Sequence, residues 1–175
     1  MQPEIAYFGQ KDISQSILVK RLTQDLNIPT FITVCETIRE FDGLAMSSRN
    51  AYLTPEERAK SKILYEALNA GKALCEDNSG SSNSSNRDNL THLRIEQKIR
   101  EILDSEPLVT HVEYVSVASH KDMKEIDVYD NNSGAVISSA IKVGNVRLID
   151  NVLVGRDASR LVSHPQLHYS NFKDL

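Results

Sequence analysis

EIAYFGQKDISQSILVKRLTQDLNIPTFITV, residues 4–34, is the stretch whose reading decides the fold. Its ends, EIAYF (4–8) and TFITV (30–34), are short apolar runs, the second β-branched and aromatic, and both read as strands. Between them, Asp12 followed by Gln15 has the Asp-x-x-Gln form of a helix start, where a carboxylate accepts from free backbone N–H groups. Ile17, Leu18, Leu22 and Leu26 then keep one helical face apolar, Asn27 closes the helix, and Pro29 prevents its resumption. Strand, helix and strand with short connections form a βαβ unit, and its strands are parallel. Two strands do not make a stable sheet of that kind. Residues 1–50 therefore read as the end of a larger α/β domain whose beginning lies upstream of Met1.

Further along, TPEE (54–57) combines a Thr cap, Pro at the first helical position and Glu at the third. The helix predicted after it is apolar at Ile63, Leu64, Ala67, Leu68, Ala70 and Leu74. NSGSSNSSNRDN (78–89) has nothing to bury and reads as a flexible insertion. A second helix carries Ile95, Ile99, Ile102 and Leu103 on one face, and Pro107 ends it. HVEYVSVAS (111–119), AVISSAIKV (135–143) and VRLI (146–149) are strand-like, with Gly144–Asn145 at a tight hairpin position. A last strand, VLVG (152–155), is predicted after a turn at Asp150–Asn151. Residues 51–156 thus read as a small α+β domain of two helices and an antiparallel sheet, and 157–175 as a frayed tail.

The composition narrows the function. An apolar share of 40% and a charged share of 25% are ordinary for a globular protein. A net charge of −4 argues against general binding to nucleic acid or an anionic membrane surface. There is no signal peptide and no 18-residue apolar run, which predicts a cytoplasmic protein. Cys35 and Cys75 have no metal spacing and read as inert thiols. The five histidines (92, 111, 120, 164 and 168) form no triad and no metal pair, since Pro165 interrupts the last two.

Three stretches compete for chemistry. FGQKD (8–12) lies at the carboxyl end of a parallel strand, where ligands of open α/β sheets bind. Gly9 permits close backbone approach, Lys11 brings a charge, and the helix start attracts anions. The same residues also read as a plain loop with a surface lysine and a capping aspartate. GLAMSSRN (43–50) sets Ser47, Ser48 and the Arg49 fork in a row, the donor mixture that a triphosphate needs. It also reads as a connecting loop with an arginine ion pair. RLIDN (147–151) reads as a strand and turn that hold the small domain together.

Taken in order, AYFGQKD…Q, DGLAMSSRN-YLTPEER and VRLIDN resemble the pantothenate synthetase (pantoate–β-alanine ligase) family over residues 2–77 and 90–155. That family is related to the HxGH nucleotidyltransferases. The resemblance implies a Rossmann-like domain and an adenylate-forming ligation of pantoate with β-alanine at the expense of ATP and Mg2+, in a homodimer at full length. It assigns Gly9, Gln10, Lys11, Asp12, Ile38, Met46, Ser47, Ser48 and Arg49 to ATP, Lys11 and Arg49 being catalytic, and Gln15 to pantoate. Family members have an aromatic and two glutamines after FGxKD; Ile13–Ser14–Gln15 keeps only the second glutamine. The HxGH motif and the Mg-ATP loop have no equivalent in these residues, so the chain alone is expected to be inactive. Two alternatives stay open: a fragment of another HxGH-class nucleotidyltransferase, and a non-catalytic binding module.

Overall fold

The structure is a computed structural model that describes residues 3–80 and 89–162. β1 (Ile5–Gly9) and β2 (Phe31–Cys35) pair in parallel from Ile5 opposite Phe31 to Gly9 opposite Cys35, with α1 (Ile13–Asp25) as the crossover. Asn27 adopts the left-handed conformation just beyond α1, at φ 50°, as its closing position requires. The expected βαβ unit is thus present.

Two local expectations for this unit are corrected. Asp12 makes no side-chain capping bond, because Gln10–Asp12 winds into a 3-10 turn that runs straight into α1. The polar contact at that corner is instead Ser16 Oγ donating to the Asp12 carbonyl at 3.3 Å. The leucine stripe of α1 is not buried either: Leu18, Leu22 and Leu26 are 67, 49 and 62% exposed, while Ile13, Ser16 and Ile17 are covered. A helix of 13 residues is about 20 Å long, whereas two strands are only about 5 Å apart. Only the first turns of α1 find sheet beneath them. Ile5, Tyr7 and Phe31 share the other face of the β1–β2 pair and are also exposed.

The remaining elements are α2 (Pro55–Lys60), α3 (Ile63–Gly80), α4 (His92–Leu103), β3 (Val109–Ala118), β4 (Ala135–Val143), β5 (Val146–Val154) and the short α5 (Arg156–Ser159). The capping box is as read, with Thr54 N–H donating to Glu57 Oε2 at 2.8 Å and Glu57 N–H to Thr54 Oγ1 at 3.3 Å. The single helix predicted after it breaks at Ser61–Lys62. There the buried Ser61 hydroxyl donates to the Glu57 carbonyl, a back-bond that competes with helix continuation. The 78–89 insertion begins as the last turn of α3, and its residues 81–88 lie outside the described residues.

β3, β4 and β5 form an antiparallel sheet in that order, with the β4–β5 hairpin turning at Gly144 (φ 55°) and Asn145. The turn predicted at Asp150–Asn151 does not exist. β5 runs through both residues, paired to β4 from Val146–Val143 to Val154–Ala135. α3 and α4 pack on one face of the sheet through Leu64, Leu68, Ile95, Ile99 and Leu103 against Ile137 and Ile141. Gly71 permits that crossing, since a β-carbon there would sit 2.7 Å from Ile99 Cδ1. The opposite face is covered as well: Val136 joins Ile13, Ile17, Val34 and Val162 in a second cluster. The segment read as a frayed tail, 157–175, begins inside α5 and brings Val162 beside Val34 in a parallel bridge; His164 and His168 lie outside the described residues. No described helix is long and apolar enough to cross a membrane.

The buried core fixes the chemistry of the cysteines. Burial pushes the Cys75 thiol up to about 12, with a smaller contribution from the neighbouring Glu76, while Cys35 is only half-buried. Thiolate is the reactive form. An alkylating reagent at pH 8 is therefore expected to label Cys35 and spare Cys75 until the protein unfolds, as read by peptide mass. Equal labelling of both in the folded chain would contradict this packing. The neutral Cys75 thiol supports the fold fully below pH 9 and that support is lost as pH rises towards 12.

Candidate functional site

The site is organised by β5, which lies between the two candidate segments. On one side is the FGQKD bend. Asn151 Nδ2 donates to the backbone carbonyls of Gln10 and Lys11 at 2.9 and 3.0 Å, and its Oδ1 accepts from Gln10 Nε2 at 3.1 Å. Asn151 is fully buried, so these bonds satisfy a polar side chain that water does not reach.

On the other side is the loop that carries GLAMSSRN. Residues 38–46 fold back as a short hairpin: Met46 N–H donates to the Ile38 carbonyl at 2.9 Å, and Arg39 and Ala45 form an antiparallel bridge. Gly43 sits at the turn with φ +93°, and a β-carbon there would lie 2.3 Å from Tyr65 Cδ1. Arg39 ties this hairpin to β5. Its guanidinium makes a bidentate pair with Asp150 at 2.6 and 3.1 Å, donates to the Gly43 carbonyl at 3.0 Å, and lies 3.9 Å above the Tyr65 ring. A second pair, Arg58 with Asp42 at 2.7 and 3.0 Å, anchors the outer end of the hairpin to α2. The Arg58 hydrogen bond holds the Asp42 carboxyl below its ordinary range.

The bend and the loop meet at a narrow slot. Lys11, Ser47, Asn50, Arg147 and Asp150 line it, with a free volume of only about 10 Å³. Ser47 caps the 3-10 turn Ser48–Tyr52 by accepting from Arg49 N–H at 3.3 Å. GLAMSSRN is therefore the returning half of the hairpin followed by a capped turn, in which Ser48 and Arg49 are exposed. Asn50 Nδ2 donates to the Ala45 carbonyl, whereas its Oδ1 is buried beside Lys11 with no partner among the described residues. Lys11 also lines a cavity of about 250 Å³ with Asp12, Gln15, Tyr114, Ser138 and Arg147. Ile38 and Met46 stand side by side and exposed on the hairpin. Gln10 faces the other way, into a cavity of about 410 Å³ with Thr37, Arg39 and Lys72. That cavity is larger, but of the sequence candidates it holds only Gln10.

Sequence reasoning missed Arg39, and it read RLIDN, which carries Arg147, Asp150 and Asn151, as a strand and turn with a structural task. The signal was present: RLIDN puts two adjacent polar residues inside an apolar strand, and buried polar groups need partners. Among the described residues no group of three or more His, Cys, Asp or Glu could hold a metal ion.

A family model described as pantoate-beta-alanine ligase matches residues 1–153. The chain belongs to the pantoate–β-alanine ligase family. Its relatives in that family include the pantothenate synthetases of Chloroflexus aggregans, 43% identical over 156 residues, and of Roseiflexus sp., 42% identical over 152 residues. These alignments take in 88 and 87% of this chain but 51 and 50% of the relatives. The chain thus spans about half the length of the curated relatives it matches. The crystal structure of the pantothenate synthetase from Thermus thermophilus superposes with a TM-score of 0.75 at 32% identity, over 89% of this chain and 51% of that one. The ligase from Francisella tularensis, complexed with beta-gamma ATP and β-alanine, gives a TM-score of 0.53 at 29% identity, over 87% and 44% of the two chains. The α/β ligase fold with its small antiparallel sheet is therefore shared.

Proposed function

We propose that this chain is the part of a pantoate–β-alanine ligase that holds the ATP phosphates and one end of pantoate. A pantoate carboxylate oxygen attacks the α-phosphorus of ATP and pyrophosphate leaves. The β-alanine amine then attacks the activated acyl carbon, loses a proton, and AMP leaves. Negative charge grows on the phosphate oxygens in the first step, so fixed cations count most there. Lys11 and Arg49 supply them, Ser47 and Ser48 add hydroxyl and amide donors, Gly9 and Asp12 border the nucleotide, and Ile38 and Met46 flank the base. Gln15, in the cavity beside Lys11, takes a pantoate oxygen. Gln10 acts through its contact with Asn151. Mg2+ belongs to this reading as the nucleotide's counter-ion, with ligands outside this chain. The partners are these small molecules rather than a nucleic acid, the working unit is a homodimer at full length, and the compartment is the cytoplasm.

The observation that carries the reading is the slot in which Lys11 and Ser47, far apart in sequence, line one space. The experiment is an assay of AMP release by this chain fused behind the half of a relative that it does not cover. Release is expected only with pantoate, β-alanine and ATP together. Release without pantoate, or none at all from a folded fusion, would contradict the reading.

Gly9 gives a sharper check of nucleotide approach. Its backbone (φ −80°, ψ 138°) suits any residue, and a β-carbon there meets nothing within 4 Å. Gly9→Ala is expected to keep the melting temperature within about 1 °C, since exposed changes of this kind cost little. The added methyl projects into the proposed ligand space, so ATP affinity should fall at least tenfold by calorimetry. Unchanged affinity would remove Gly9 from the site.

A further inference from the structure

Asp150 and Asn151 are neighbours on β5, and successive side chains leave a strand on opposite faces. The register agrees, with Asn151 opposite Ser138 and Asp150 opposite Ser139 on β4. Ser138 lines the cavity beside Lys11 and Gln15, and on that side Asn151 grips the bend at Gln10 and Lys11. On the other side Asp150 grips Arg39 against Tyr65 of α3, and Arg39 in turn holds the Gly43 carbonyl at the start of the loop. Both residues are buried, and β5 is paired to β4 along its whole length. One rigid strand therefore clamps two segments that otherwise face each other across open space, in the slot and in the cavity lined by Gln10 and Arg39.

We propose that Asp150 and Asn151 are positioning residues, which set the spacing between Lys11 and Ser47–Arg49 by anchoring the bend and the loop to a single strand. Neither side chain needs to touch substrate. The proposal deepens the reading that both segments hold one polyphosphate, and rests on it. Its physical basis is that donors must already stand where phosphate charge develops, and misplacement by about 1 Å can cost about 100-fold in rate.

The test uses the whole chain with Asn151→Ala, with the near-isosteric Asp150→Asn, and with Ile99→Val as a destabilising control away from both segments. Two quantities are read well below each melting temperature: ATP affinity by calorimetry, and amide hydrogen exchange by mass spectrometry. Asn151→Ala and Asp150→Asn are expected to weaken ATP binding about tenfold or more. Exchange should quicken in residues 9–12 for the first and 43–50 for the second, with β3 and β4 unchanged. Ile99→Val should do neither. Wild-type affinity in both strand variants, or exchange that rises evenly across the sheet, would overturn the proposal. If Asn151→Ala fails to fold, Asp150→Asn decides alone. A wild-type chain that binds no ATP would instead count against the nucleotide reading, and the exchange pattern would still decide whether the pair fixes the two segments.

Discussion

Arg39→Met is expected to lower the unfolding free energy by about 3–5 kcal/mol, the usual consequence of removing one partner from a buried ion pair. Methionine replaces much of the volume against Tyr65 but leaves the Asp150 carboxylate, 2% exposed, without its counter-charge. Among the described residues the remaining donor to that carboxylate is the Asn151 backbone N–H at 2.8 Å, too little to solvate a full charge. In a chain of this size the loss corresponds to a fall in melting temperature of roughly 10 °C. Urea unfolding gives the free energy directly, and a loss under about 1 kcal/mol would show that water reaches Asp150. Arg21→Met serves as the comparison. Its pair with Asp25 at 2.8 Å is mostly exposed, and its removal is expected to change little.

The second large effect is on nucleotide binding. Lys11→Gln and Arg49→Ala are each expected to weaken ATP binding by roughly 10- to 100-fold, the range for a lost charge-assisted hydrogen bond. Lys11 is half-buried in the slot, so its charge acts through little water and its loss should be the greater of the two. Arg49 is exposed and makes no ion pair with any described residue, so its guanidinium is free to close on a ligand. Neither change touches the core, and melting temperatures should hold. A drop in stability that tracks the drop in affinity would point to a structural role instead.

What could be read from the sequence follows a physical division. Elements specified by local chemistry were legible: the βαβ unit from its two apolar runs, the Thr54–Glu57 capping box, and the Gly144–Asn145 hairpin. Elements decided by tertiary contact were not. Asp-Asn reads locally as a turn, yet Asp150 and Asn151 stay in the strand because Arg39, Gln10 and Lys11 answer their polar groups. The leucines of α1 have helical spacing towards a surface that this short sheet does not extend to cover. Of the candidate site, Lys11 and Ser47 are brought to one slot and Gln15 to the adjoining cavity. Gln10 is turned to Asn151, and Asp12 does not cap. No periodicity or spacing marks a residue whose role is to hold another in place. Such residues show themselves only as polar letters in an apolar strand.

Whether the bend and the loop close on the same triphosphate is read from a double-mutant cycle on ATP affinity. Wild type, Lys11→Gln, Arg49→Ala and the double variant are titrated with ATP under one set of conditions. If both cations hold one triphosphate, their effects are coupled, and the double variant departs from the sum of the singles by about 0.5 kcal/mol or more. Strict additivity, or a single variant that binds as wild type does, would place the two cations at separate sites and contradict the account.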